Sequence, residues 1–486
     1  TATISQKGTS PSSQTIVKAA ALALLVSSAT IAIDAAHAPA HAQDGVTWLD
    51  TIAVVGTRTE TSVQDNPASV TVVDQEEIAK KSGESIADML RDVPGVEVVD
   101  DSIPGMKRLS IRGESSRRVT ILVDGQEITD HSNYGTPILI DPSNVERIEV
   151  VRGPASVLHG AKAIGGVVNI ITRRGADKRV EVETGGTYYS GTAGWQGWGA
   201  VSGTVGSFDY RFSGSLDDHG DRRVATAHYA PSGRLDDTSF GNDNVSAHLG
   251  YTFGKAGNHY IAVKAMQHRL WSESWTDPDT LKPGTNFRID LPRRDLRKVG
   301  LYYDGTDISD IVRKIHLDAY YQEVDRLFTN ELTAGPRNQK VVSEDLNANL
   351  GATAQVDLQF HPDHYTIVGL HYLDDGLEAS KTTTVSYTTP FPLPSRDSAT
   401  DDASIRTISA FAQNEWSLTD DLKLTGGARY YNTRTDLADT SDTARKGYKG
   451  RTDSRFVTSL GLTYTGIEDT TLRALYSEGY ITPTLF

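Results

Sequence analysis

The pattern of hydrophobic and polar residues changes near Gly175. Beyond that point apolar residues alternate with small or polar ones, as in 456–464, where Phe456 and Leu460 share one face and Ser459 lies on the other. A period of two predicts β-strands with one apolar face. We therefore predict about thirteen strands, at 179–189, 194–204, 207–217, 243–253, 257–267, 297–304, 311–325, 342–356, 363–374, 404–417, 421–436, 452–466 and 469–478.

The links between these strands sort by length. Short links at 254–257, 419–420 and 466–468 alternate with long polar segments, and only the first link on the long side, near 190–193, is short. A meander with short turns at one end and long loops at the other is typical of an outer-membrane barrel. A soluble β-sandwich would also alternate, but its connections would not sort this way. The long segments are 218–242, 268–296, 326–341, 375–403 and 437–451.

The preceding part of the chain, 56–175, mixes helical and β-strand patterns. Asp74, followed three residues later by Glu77, predicts the cap of a short helix. A second helical stretch covers 82–90 and ends before a Pro-Gly pair. Apolar runs predict strands at 68–73, 118–123 and 145–151.

The N-terminal 42 residues read as a secretory signal. An apolar stretch over 16–33 follows Lys7, and small residues at Ala40 and Ala42 precede Gln43. The apolar stretch is short for a helix that crosses a membrane, so we expect cleavage rather than an anchor.

Composition excludes several classes of function. The chain has no cysteine, which excludes disulfides and thiolate metal sites. Its formal net charge of −15 argues against nucleic-acid binding. The scattered histidines lack metal-ligand spacing, and no nucleophile elbow stands in a suitable context. We predict that the protein is not an enzyme and has no catalytic residues, no metal site and no cofactor.

Four blocks within 109–172 carry the most specific signal. They read Leu-Ser-Ile-Arg-Gly at 109–113, Ile-Leu-Val-Asp-Gly at 121–125, Arg-Ile-Glu-Val-Val-Arg-Gly-Pro at 147–154 and Gly-Gly-Val-Val-Asn-Ile-Ile-Thr at 165–172. Their order and spacing resemble the plug domain of TonB-dependent outer-membrane receptors of the siderophore, haem and colicin receptor type. This resemblance implies an α+β plug domain inside an antiparallel transmembrane β-barrel of twenty-two strands.

The resemblance also implies a division of the chain. We expect a signal peptide at 1–42, a TonB-box segment at 43–55, a plug domain at 56–175 and a partial transmembrane barrel at 176–486. The final residues, Tyr476–Phe486, resemble a family segment that lies in mid-barrel. We therefore expect a C-terminally truncated sequence, because about thirteen strands would leave an open edge that lipid does not tolerate.

Residues 49–55 resemble the TonB box, which implies that TonB binds here. A flexible β-prone segment can pair with the edge of a partner's sheet, and backbone hydrogen bonds then supply much of the affinity. An ordinary first strand of the plug is the alternative interpretation. The predicted TonB-binding residues are Asp50, Thr51, Ile52, Ala53, Val54 and Val55.

Two further sets of residues follow from the resemblance. Arg112 and Arg152 would lock plug to barrel through wall carboxylates, because guanidinium groups suit paired carboxylate binding. Glu415 is the preferred carboxylate, since the strand parity of Glu478 points it toward lipid. Ligand-contacting residues are expected in the apical plug loop at 126–137, with His131, Asn133 and Tyr134 as candidates.

The predicted function is TonB-dependent active import of an iron chelate, a ferric siderophore, across the Gram-negative outer membrane. A haem or cobalamin receptor of the same fold remains an alternative. His131 keeps haem open, although the aligned haem position falls nearer Tyr134. A passive porin or structural barrel is the rival of another class, and it would lack the plug and the box. Expected partners are TonB with its inner-membrane energising proteins, the ligand and outer-membrane lipid, with the receptor itself a monomer.

Overall fold

The structure is a computed structural model, and it describes residues 52–53, 58, 61–81, 83–99, 103–131, 136–389, 392–448, 450–468, 470–482 and 485. The predicted signal peptide lies outside these residues. Within the described ranges, no helix combines the length and the apolar character needed to cross a membrane.

The first part of the described chain forms a small α+β domain, the plug. Its elements are β1 (Ile52–Ala53), β2 (Thr61–Ser62), β3 (Ser69–Asp74), α1 (Gln75–Lys80), α2 (Ile86–Met89), β4 (Val96–Val99), β5 (Arg108–Ile111), β6 (Val119–Val123), β7 (Gln126–Glu127), β8 (Val145–Arg152), α3 (Ser156–His159) and β9 (Gly166–Thr172).

A five-stranded sheet, in the order β3-β8-β9-β6-β7, forms the centre of the plug. Only β6 and β9 run parallel. Apolar side chains of β6, β8 and β9 are buried with those of α1 and α2 in one core. The Asp74 carboxylate accepts a hydrogen bond from the backbone N–H of Glu77, as the sequence predicts for the cap of α1. The second helix is shorter than predicted and begins after Ser85.

The second part of the chain forms one antiparallel sheet and a small hairpin in a long loop. The hairpin strands are β13 (Arg222–Arg223) and β14 (Arg234–Leu235). The main strands are β10 (Glu181–Tyr189), β11 (Gly194–Val205), β12 (Phe208–His219), β15 (Phe240–Phe253), β16 (His259–Ser274), β17 (Thr285–Thr306), β18 (Val312–Ala334), β19 (Arg337–His361), β20 (His364–Tyr387), β21 (Ser395–Thr419), β22 (Leu422–Thr440), β23 (Arg451–Ile467) and β24 (Thr470–Ser477).

These thirteen strands pair in chain order from β10 to β24, apart from the hairpin. The predicted number and order of strands are confirmed. Many strands are longer than predicted, and the link predicted at 326–341 shrinks to residues 335–336. The extra length lies at the long-loop end, where consecutive polar residues such as 382–384 no longer alternate. Alternation marks strands only where one face meets lipid, so it misses the parts that extend into water.

The two faces of the large sheet differ in chemistry. Outward residues such as Val263, Leu301 and Leu460 are exposed and apolar. Inward residues are largely buried and polar, including Gln322, Asn349 and the wall residues described below. The plug packs against this inward face, since Phe240, Leu270 and Leu296 of the wall join the plug core. The predicted fold class, an α+β plug within an antiparallel barrel, is confirmed by this arrangement.

Candidate functional site

The predicted TonB-box segment contributes a strand to the plug. Ile52 and Ala53 form β1, which pairs antiparallel with Ser62 and Thr61 of β2. The Ala53 side chain is fully buried in a small apolar cluster that includes Val151 and Val167. The remaining box residues, Asp50, Thr51, Val54 and Val55, lie outside the described residues. A backbone pair of two residues is a small contact that a competing strand can replace.

The chain that joins the box to the plug is held by the barrel wall. Arg473 of β24 donates from Nε to the carbonyl oxygen of Asn66 at 2.8 Å, and from Nη2 to those of Val63 and Gln64. The Lys423 ammonium of β22 lies 2.9 Å from the Asp65 carboxylate. We call residues 63–66 the anchored segment.

Glu415 lies beside the anchored segment and not beside the two plug arginines. Its carboxylate is 3.7 Å from the Lys423 ammonium, which also pairs with Asp65. This contact places Glu415 on the inward face of the wall. In the described part of the chain its ion-pair partner is a lysine of the wall.

Arg112 and Arg152 lie close together on the plug. Arg152 donates to the carbonyl oxygen of Pro94 and to Thr71 Oγ1, both at 2.9 Å. Its partial burial lowers the pKa of the guanidinium, and the neighbouring charge of Arg112 lowers it further. Arg112 is exposed and adopts a left-handed backbone with φ +52°. Among the described residues, no ion pair joins either arginine to the wall, and their locking role stays a prediction.

The apical loop carries His131 into a buried position. Its Nε2 lies 2.8 Å from the Asp375 carboxylate of β20, and its Nδ1 accepts from the backbone N–H of Leu485 at 3.3 Å. The side chain is almost fully enclosed. Asp130, one residue earlier, pairs with Arg294 of β17. The other two ligand candidates, Asn133 and Tyr134, lie outside the described residues.

The Val-Asp-Gly block of the plug makes a contact with the wall that sequence reasoning did not assign. Asp124 forms an ion pair with Lys264 of β16 at 2.8 Å and accepts from Thr172 Oγ1 at 2.7 Å. Burial raises the pKa of the Asp124 carboxyl, but Lys264 and Thr172 more than offset this and hold the pKa below its usual value. The sequence offered one signal for this contact, a lysine at an inward position of a predicted strand. It could not identify Asp124 as the partner, because the pairing depends on the tertiary fold.

A second contact joins α3 of the plug to β22. The Tyr431 hydroxyl donates to the carbonyl oxygen of Ser156, and Arg429 donates to that of Leu158 at 3.0 Å. Val157 and Leu158 pack in an apolar cluster with wall side chains, including Val457. The plug backbone is thus hydrogen-bonded directly to this part of the wall.

Glu127 is a buried acid between the plug and the wall. Burial raises the pKa of its carboxyl to about 7, with Asp375 adding to the rise and Lys162 opposing it. The described residues contain no group of three or more His, Cys, Asp or Glu side chains that could hold a metal ion.

A small α+β domain seated against the polar inner face of an antiparallel barrel defines the class of plugged outer-membrane barrels. Residues 62–167 match the TonB-dependent Receptor Plug Domain family, and residues 173–486 match the TonB dependent receptor-like, beta-barrel family. The chain therefore belongs to the TonB-dependent receptors. The predicted family and the predicted Gram-negative outer-membrane location are both confirmed.

Individual relatives differ in their named ligands. The vitamin B12 transporter BtuB of Photobacterium profundum is 27% identical over 348 residues, which cover 67% of this chain and 52% of the relative. The hemin receptor of Yersinia enterocolitica is 32% identical over 157 residues, covering 32% of this chain and 23% of the receptor. The chain thus spans about half the length of the first of these relatives.

Solved structures share the fold at low sequence identity. The ferric yersiniabactin uptake receptor FyuA of Yersinia pestis superposes with a TM-score of 0.65 at 18% identity, covering 86% of this chain and 65% of that one. The ferripyoverdine receptor of Pseudomonas aeruginosa gives a TM-score of 0.67 at 17% identity, covering 90% of this chain and 60% of that one. Likeness at this identity supports the fold and does not select a ligand.

Proposed function

We propose that this protein imports a ferric siderophore across the outer membrane, driven by TonB. Membership of the family supports TonB-driven import, and the environment of His131 supports a siderophore rather than haem as the cargo. Both ring nitrogens of His131 are engaged, one with Asp375 and one with a backbone N–H. Haem iron needs a free imidazole nitrogen, so binding haem through His131 would require breaking one of these bonds inside a buried site.

The chemistry of a ferric siderophore makes fewer demands on the protein. The chelator supplies the ligands to iron, and the receptor needs to recognise only the outside of the complex. Tyr134 and Asn133 are the candidate contacts, because an aromatic ring and an amide can stack on and hydrogen-bond to a chelate. Proteins named for ferric yersiniabactin, hemin and vitamin B12 all occur among the proteins similar to this chain.

Transport in this proposal begins at the box. Ligand binding at the apical loop shifts the plug, β1 leaves β2, and TonB pairs with residues 50–55 in its place. The two-residue pairing of β1 and β2 supports this exchange, because few backbone hydrogen bonds must be replaced. The anchored segment lies between the box and the plug, so the pull reaches the plug once residues 63–66 are released from Arg473 and Lys423.

A binding panel tests the choice of cargo. The full-length receptor is purified in detergent and titrated with a ferric catecholate, a ferric hydroxamate, haemin and cyanocobalamin. We expect binding of one ferric chelate, weakened in Tyr134→Ala and unchanged in His131→Ala. A haem spectrum with histidine ligation that disappears only in His131→Ala would overturn the siderophore proposal. Unchanged affinity in both variants would show that the ligand is not recognised by the apical loop.

A further inference from the structure

A large polar cavity separates the plug from one part of the barrel wall. Its volume is about 810 Å³, and it lies between β6, β8 and β9 of the plug and wall strands from β10 to β19. The lining carries both signs of charge, with Arg173, Lys178 and Lys314 among its bases and Asp177, Glu181 and Asp304 among its acids. The residues after Arg173 lead into the first barrel strand, and Lys314 follows the short link at 307–311. The cavity therefore lies at the short-turn end of the barrel.

The ion pair of Asp124 and Lys264 lies on the border of this cavity, and both residues line it. Lys264 also donates to Thr172 Oγ1 at 2.8 Å, so one lysine bridges two strands of the plug. Asp124 has φ +52° and Gly125 has φ +82°, which places these two residues on a tight turn after β6. A small movement of this turn would separate Asp124 from the wall.

A second lysine lies beyond this pair, toward the long-loop end. The Lys298 ammonium of β17 is buried 4.0 Å from the centroid of the Tyr320 ring and has no hydrogen-bond partner among the described residues. Lys298 and Lys264 line the same small cavity as Asp124. The Lys298 side chain therefore adds a second buried basic group beside the Asp124–Lys264 pair.

The contact at α3 consists of apolar packing and hydrogen bonds to backbone, unlike the ion pair at Asp124. There the wall hydrogen-bonds to the plug backbone through Tyr431 and Arg429, and apolar side chains exclude water. Parting the surfaces at α3 would expose apolar groups and leave carbonyl oxygens unpaired, whereas parting them at Asp124 would release charged groups into an existing polar cavity.

From this contrast we propose that the cavity is the periplasmic half of the transport route, that the Asp124–Lys264 pair is its gate, and that α3 is the side on which the plug stays fixed. The inference rests on the proposed function, energised import. When the turn at Asp124 moves, Lys264 loses its carboxylate partner and faces the opened space.

Two matched tethers test the route. Gly300 of β17 lies opposite the plug, where an added Cβ would approach Gln126 Oε1 at 2.7 Å. Gly427 of β22 is its counterpart at α3, where an added Cβ would approach Val157 Cγ1 at 3.1 Å. The chain has no cysteine of its own, so introduced pairs react without background. The variants are Gln126→Cys with Gly300→Cys, and Val157→Cys with Gly427→Cys, in the full-length receptor.

Uptake of a radioiron-labelled ferric catecholate or hydroxamate is measured in cells before and after joining each pair with a short thiol cross-linker, then after reduction of a cleavable linker. We expect the 126–300 tether to reduce uptake to the level of a TonB-deficient strain, with recovery on reduction. The 157–427 tether should leave uptake unchanged. Loss of uptake with the second tether, or normal uptake with the first, would overturn the proposal.

Single-cysteine labelling separates a wrong route from a wrong function. Gly300→Cys and Gly427→Cys are treated with a membrane-impermeant thiol reagent in cells with and without TonB. We expect TonB to accelerate labelling at position 300 and not at position 427. Faster labelling at position 427 alone, or at neither position, in cells that import the chelate would exclude this route. Absence of TonB-dependent uptake in the parent receptor would instead reject the proposed function.

Discussion

Lys107 and Lys80 show how burial changes the value of an ion pair within the plug. Lys107 is buried and pairs with Glu84 at 3.1 Å and Asp88 at 2.8 Å. Burial alone would lower the pKa of Lys107, but the two carboxylates raise it above its usual value. Lys80 pairs with Glu76 on the exposed surface of α1.

We predict that Lys107→Met destabilises the plug by about 3 kcal/mol, because two carboxylates lose their buried partner. Lys80→Met is the matched control and should cause no measurable change, since solvent screens its ion pair. Calorimetric unfolding of the detergent-solubilised receptor measures both. Equal effects of the two substitutions would contradict the role assigned to Lys107.

Glu127 should make plug stability depend on pH near neutrality. Its folded pKa of about 7 lies above the ordinary value of 4.5, so the folded state binds more protons than the unfolded state between these values. Its contribution is therefore fully present below pH 4.5 and is lost as pH rises through 7, by about 3 kcal/mol in all.

We predict that Glu127→Gln removes this dependence and makes the plug more stable than the parent at pH 8. Unfolding temperatures of both proteins, measured from pH 4.5 to 8, check the sign. The Glu127→Asp variant, which keeps the acid, is the control and should retain a pH slope in the same direction. The difference in stability between the parent and Glu127→Gln isolates Glu127 from the other titrating groups. A parent that gains stability relative to Glu127→Gln from pH 4.5 to 7 would contradict this assignment.

At the scale of elements, sequence alternation predicted the strands of the barrel but not their full length. The strand predicted at 404–417 extends over Ser395–Thr419, because its outer part lies beyond the band where one face meets lipid. Plug helix α1 was predictable because its capping signal is local. The start of α2 was misplaced, since the Asp88 carboxylate accepts from the backbone N–H of Ser85 and begins the helix there.

The box strand gives a prediction that separates transport from binding. Ile52→Pro should abolish uptake and leave ligand affinity unchanged, because proline removes a backbone donor from the strand that TonB would pair with. Ile52→Val keeps the β-forming backbone and should import normally. Uptake and binding assays on the same membranes distinguish the two steps. Normal import by Ile52→Pro would reject strand addition at this segment.

The anchored segment should depend on Arg473. Its guanidinium holds three backbone carbonyl oxygens, those of Val63, Gln64 and Asn66. We predict that Arg473→Ala accelerates tryptic cleavage after Arg58 severalfold, because the nearby chain loses its attachment to the wall. Arg451→Ala, which removes an exposed arginine paired with Asp453, should leave cleavage unchanged. Slow cleavage in both variants would show that other contacts hold the segment.

At the scale of the whole molecule, the sequence located the plug through its four motifs but could not pair plug residues with wall residues. Asp65 meets Lys423 and Asp124 meets Lys264 only because the barrel register brings distant positions together. Glu415 illustrates the limit. Its choice as a wall carboxylate came from the sequence, whereas its neighbours, Lys423 and Asp65, depend on how the plug is seated.

The outward face provides the final prediction, since confirmed membrane location fixes what that face touches. Leu301 is exposed in β17, pairs with Val263 of β16 and lies among apolar neighbours. Leu301→Arg should destabilise the barrel by about 2–4 kcal/mol, because a charge would enter the hydrocarbon layer. Asn286 is exposed nearer the long-loop end of the same strand, and Asn286→Arg should have almost no effect because water surrounds it. The amount of folded receptor in the outer-membrane fraction measures both variants. Equal tolerance of the two arginines would mean that Leu301 does not face lipid.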